Sequence, residues 1–97
     1  MPLYCLHCLD KTDGGAEARA KARQAHLAWG AALPGLCMAG PLLNEAGEMV
    51  GSVFLIEAAD LAEAKAIHAQ DPYVTGGVFG HVHIHETRWA IGAGKPE

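Results

Sequence analysis

Leu36-Cys37-Met38-Ala39-Gly40-Pro41-Leu42-Leu43, then Asn44-Glu45-Ala46-Gly47-Glu48, then Met49-Val50-Gly51-Ser52-Val53-Phe54-Leu55-Ile56-Glu57: two apolar, β-compatible runs joined by a polar, glycine-containing loop read as a β-hairpin. Pro41 has no N–H to give to a ladder, so the first of these strands belongs at a sheet edge. Gly40 and Gly51 lie inside the two strands, where glycine marks a bulge or a close approach of ligand or backbone.

Outward from the hairpin, the chain is close to symmetric. On its N-terminal side, Ala16 to Leu33 holds eight alanines and no proline, a helix that Pro34-Gly35 stops. Ahead of it, the turn signal Asp10 to Gly15 follows a short apolar strand, Leu3 to Leu9. On the C-terminal side, Asp60 with Glu63 forms a capping-box pattern for a second helix, Leu61 to Ala69, which Pro72 cuts off. From Val78 to Trp89, Val82 and Ile84 alternate with His81, His83 and His85, the period of a strand with two unlike faces.

The order β-α-β-β-α-β, with two helical crossovers, specifies an α+β, ferredoxin-like split βαβ fold. Its 97 residues, 51% hydrophobic and 19% charged, fit a single domain over 1–97, with a loose tail at 90–97. Both helices cover one sheet face and leave the other open. So small a domain with an open face is expected to pair sheet to sheet as a homodimer.

A net charge of -4 with only seven Lys and Arg gives no phosphate-binding footprint, so no nucleic-acid partner is expected. The N-terminus lacks a basic, then apolar leader, and no apolar run approaches the length of a membrane span. A cytoplasmic protein without a membrane partner is the expectation. Cys5-Leu6-His7-Cys8 spells C-x-x-C, but on a strand positions 5 and 8 leave opposite faces, which argues against a shared metal or disulfide.

On the first helix, Arg19, Arg23, His26 and Gly30 form one stripe bordered by Leu27, Trp29 and Leu33. Neither arginine has an acidic residue one turn away, so both are free to meet an anion or to stand in water. Asp71 before Pro72 is equally a helix N-cap with proline at the first helical position. His81, His83 and His85 fall on one strand face about 7 Å apart, with His7 a candidate neighbour. A straight row of three converges poorly on a zinc ion, and no metal is assigned to it.

Arg23-Gln24-Ala25-His26-Leu27, Ala39-Gly40-Pro41, Gly51-Ser52, Asp71-Pro72-Tyr73-Val74, Gly77-Val78-Phe79 and His81-Val82, in this order, resemble the YciI-like (YCII-related) family from Leu3 to His85. That resemblance implies a dimeric α+β barrel whose pocket holds a histidine and an aspartate, here His26 and Asp71 as the catalytic pair. It also implies Arg23, Gly40, Pro41, Ser52 and Tyr73 as substrate-binding residues. A related branch removes chloride from a chlorinated hydroxyquinol. The implied function is a small-molecule enzyme with a His-Asp acid/base pair acting on a small anionic or phenolic substrate by elimination or hydrolysis, without a cofactor. The alternative is a non-catalytic dimeric module that binds a metabolite. The histidine row and the C-x-x-C receive no support from the resemblance.

Overall fold

The computed structural model describes residues 1–95. The elements run β1 (Leu3–Asp10), α1 (Gly15–Ala31), β2 (Leu36–Leu43), β3 (Met49–Glu57), α2 (Leu61–His68), α3 (Pro72–Thr75) and β4 (Phe79–Thr87). The strands form one antiparallel sheet in the order β2-β3-β1-β4, so β1 and β2 run parallel with β3 between them. This is the expected split βαβ, and the Pro41 strand is an edge. The expected loose tail is described as far as Lys95, as bends and turns; Pro96 and Glu97 lie outside the described residues.

Register divides the side chains between two faces. Tyr4, Leu6 and Cys8 of β1 pair with Ile56, Phe54 and Ser52 of β3, and all six are buried beneath the helices. Phe54, Leu6 and Ile56 are the largest fully buried apolar side chains, each stabilising the fold by about 1.5–3 kcal/mol through removal from water. Trp29 and Leu33 close the cluster from the α1 end, and Ile67 closes it from α2. Cys5 and Cys8 do leave opposite faces of β1: Cys8 is buried in the core, Cys5 is half-buried on the open side, and both are free thiols.

Local chemistry fixes the connections. Asn44 Oδ1 accepts from the backbone N–H groups of Ala46 and Glu48, and Gly47 takes the positive φ of 82° that the hairpin needs. Asp60 accepts from Glu63 N–H at 2.8 Å, while Glu63 reaches back to Ala59 N–H at 3.1 Å, a reciprocal cap one residue wider than the usual box. Gly51 shows why a strand glycine is required: a Cβ there would collide with the carbonyl oxygen of Cys8. Gly40 does not share that reason, since a Cβ on it would meet nothing within 4 Å. None of the described helices is long and apolar enough to cross a membrane.

The short α3 realises the cap reading of Asp71-Pro72. Asp71 caps it through Oδ1, which accepts from Tyr73 N–H at 2.9 Å, with Pro72 in its first turn. Packing of α3 on α1 carries Asp71 and Tyr73 to the middle of the first helix.

Candidate functional site

A cavity of about 340 Å³ opens between α1 and the β2-β3 edge of the sheet. The predicted α1 stripe forms its helical wall: Arg19, Arg23, His26 and Gly30. Gly40, Pro41 and Ser52 line the strand side, and Tyr73 lies among the lining residues from α3. Its size falls at the lower end of ligand pockets.

His26 is held from three sides. Its Nδ1 lies 2.7 Å from Asp71 Oδ1, and since an ionised carboxylate can only accept, Nδ1 carries the proton. The Tyr73 ring stacks on the imidazole at 3.7 Å between centroids and 10° from parallel. Phe54 meets it edge-on at 5.9 Å. Nε2 has no hydrogen bond among the described residues, and the ring stands in the cavity wall. It is the atom left for a ligand.

Asp71 stands behind the imidazole, away from the cavity. It is 0% exposed and does not line the cavity, so it touches a ligand only through His26. The cap reading and the partner reading hold together, because the same Oδ1 serves Tyr73 N–H and His26 Nδ1. Oδ2 is buried without a hydrogen-bond partner among the described residues.

The two arginines part company. Arg19, expected to be free, is 5% exposed and forks onto Asp10, Nε to Oδ2 at 2.8 Å and Nη2 to Oδ1 at 2.7 Å. Its Nη2 also donates to Ser52 Oγ at 2.9 Å, and its guanidinium lies 4.7 Å from the centre of the Tyr73 ring. Burial works against its charge, but the hydrogen bonds and the carboxylate of Asp10 outweigh burial and hold its pKa above the ordinary value. The misreading has a physical cause: the acidic partner is not one helical turn away but at the end of β1, across the turn, nine residues back. Arg23 is exposed at the cavity and forms no ion pair among the described residues, which leaves it as the unneutralised cation of the site.

Behind the cavity lies a residue that patterning passed over. His68 is buried, stacked on Phe79 at 5.8 Å, with Nε2 3.6 Å from Cys8 Sγ. Burial, foremost, and then the charge of Asp71 push the Cys8 thiol up to about 12, so it stays S–H in its contact with His68. Burial lowers the pKa of His68, with Asp71 opposing. Its position four residues after Ala64, on the buried side of α2, was the available signal.

His81, His83 and His85 lie on the opposite, open face of the sheet, away from this cavity, as their partners Leu9, His7 and Cys5 do. The predicted site residues otherwise come together: Arg23, His26, Gly40, Pro41, Ser52 and Tyr73 all line one cavity, with Asp71 behind it.

In fold, the chain is similar to 5-chloro-2-hydroxyhydroquinone dehydrochlorinase from Burkholderia phenoliruptrix in complex with 2,5-dihydroxybenzoquinone, with a TM-score of 0.78, 24% identity, and 97% of this chain and 99% of that one covered. It is also similar to a protein of Bacteroides thetaiotaomicron assigned to the antibiotic biosynthesis monooxygenases, with a TM-score of 0.61, 14% identity, and 99% and 95% covered. No curated protein matches the chain. Residues 2–88 match the YCII-related domain, and the chain belongs to that family.

Proposed function

We propose that the protein is a small-molecule enzyme in which His26 Nε2 transfers protons as general acid/base and Asp71 acts as a positioning residue through Nδ1. The observation that carries this reading is the 2.7 Å contact between a fully buried carboxylate and an imidazole that still faces a cavity. Such a carboxylate fixes the tautomer, presents an unprotonated Nε2 to the ligand and stabilises the imidazolium formed when that nitrogen takes a proton. Arg23 supplies the charge for a small anionic or phenolic substrate, and the Gly40-Pro41 edge and Ser52 give the opposing wall. Elimination fits this arrangement: Nε2 takes a substrate proton and an anion departs toward Arg23. The dehydrochlorinase of the same fold, bound to a dihydroxybenzoquinone, recommends halogenated hydroxyquinols as the first substrates to try.

The test is turnover of a panel of small halogenated and carboxylated phenols by the wild type and by His26→Gln, with binding followed in parallel by calorimetry. Loss of about 10²–10⁴-fold in turnover with ligand binding retained is the expected outcome. Ligand binding by both proteins with no turnover by either would replace the enzyme with a metabolite-binding module.

We further infer that a second copy covers the open sheet face, where Leu9 and Met38 are exposed beside the half-buried Val53 and Leu55. Light scattering is expected to give about twice the 10.2 kDa chain mass. Three free thiols fit a reducing compartment, and we place the protein in the cytoplasm.

A further inference from the structure

The open face of the sheet carries a second set of donors that the cavity does not use. Along the β1-β4 ladder, the directly opposed pairs on this face include Cys5 with His85, His7 with His83, and Leu9 with His81. The first two pairs form a block of three imidazoles and a thiol. His81 stands at its far end against an apolar partner, next to the register shift at Leu9/Asp10.

The His7 and His83 rings are already neighbours, with centroids 6.5 Å apart and planes tilted by 47°. Two imidazoles on one zinc ion, with Zn–N of about 2.0–2.1 Å and a tetrahedral angle, have centroids about 5 Å apart. The pair must therefore close by only about 1.5 Å. Both histidines are exposed, so rotation about their side-chain bonds supplies that movement without disturbing the sheet. In the metal-free rotamers, no three His, Cys, Asp or Glu side chains among the described residues form a metal-holding group. Binding must draw the remaining donors in. The adjacent pair sits two residues, about 7 Å, along the ladder, a separation covered by a histidine side chain together with a metal–nitrogen bond of about 2 Å.

We propose that Cys5, His7, His83 and His85 form a site for a borderline-soft divalent transition metal, zinc foremost, with His7 and His83 as its primary pair. Three nitrogens and one sulfur are a zinc donor set, and the alternation of a strand is what aligns them. The expected His81-His83-His85 row is thereby redrawn: the ligands run across two strands, not along one, and His81 is excluded. All four donors belong to one chain, and where a second copy covers the sheet the site lies at that interface.

The test is zinc titration of tag-free protein by calorimetry in reducing buffer. One saturable equivalent per chain is expected, weakened about tenfold or more by His7→Ala, His83→Ala or Cys5→Ser and by less than about twofold by His81→Ala. Unchanged melting temperatures of the metal-free variants would assign these losses to ligation. Equal weakening by His81→Ala and His83→Ala, or wild-type affinity in both His7→Ala and His83→Ala, would mean that a histidine-rich surface scavenges ions, and would overturn the site.

Discussion

Arg19 and Asp10 meet through two parallel hydrogen bonds of 2.8 and 2.7 Å, with side chains only 6% and 7% exposed, and so weld the start of α1 to the end of β1. Removing one partner of such a pair leaves an uncompensated buried charge. Arg19→Met is expected to destabilise the protein by about 3–5 kcal/mol in urea unfolding. The double variant Arg19→Met with Asp10→Asn should recover part of that loss. If the single and double variants are equally unstable, the packing of the arginine stem rather than its charge is what matters.

The Asp71 contact predicts a tautomer. Above pH 8, nitrogen NMR of the imidazoles is expected to find His26 with its proton on Nδ1, against the usual preference for Nε2. Asp71→Asn keeps an oxygen for the Tyr73 N–H cap, so α3 should persist while the Nδ1–H preference weakens. A wild-type His26 with its proton on Nε2 at that pH would contradict the hydrogen-bond assignment.

Burial of His68 makes an acid-side prediction. Its folded-state pKa lies below the ordinary 6.5, so the unfolded chain takes up the proton first as pH falls. Its neutral burial is therefore without penalty above about pH 6.5, and stability falls below it by at most about 1.4 kcal/mol per pH unit. Melting temperatures of His68→Gln should fall less than those of the wild type between pH 7 and pH 5. Parallel curves would remove His68 as a source of acid sensitivity.

Two strand glycines should behave oppositely. Gly51→Ala drives a methyl group into the Cys8 carbonyl and is expected to cost about 1–3 kcal/mol, with displacement of β3 against β1. Gly40→Ala meets open space and should change stability by less than about 0.5 kcal/mol. Chemical denaturation of the two variants side by side checks the contrast.

Much of this was legible because it is local or periodic. The loop Asn44 to Glu48, the cap at Asp60 and the edge at Pro41 each follow from residue chemistry within a few positions. The α1 stripe follows from 100° per residue, and it faces the cavity. What escaped depends on contacts between distant segments. Arg19 reads as free because its partner lies across a turn, and Asp71 reads equally as a cap until α3 brings it to His26. Patterning also treated the histidines of the last strand as a row, when their neighbours are set by the β1 register that places His7 opposite His83.

The strict alternation of β1 has an operational consequence. Cys8 and His68 are buried on the helix-covered face of the sheet, whereas Cys5 and His7 lie on the other, only one sheet thickness apart. A reagent that reaches the open face therefore meets Cys5 without encountering Cys8. The two sides of the molecule are orthogonal in the experimental sense: either can be titrated, labelled or mutated while the other serves as the internal control.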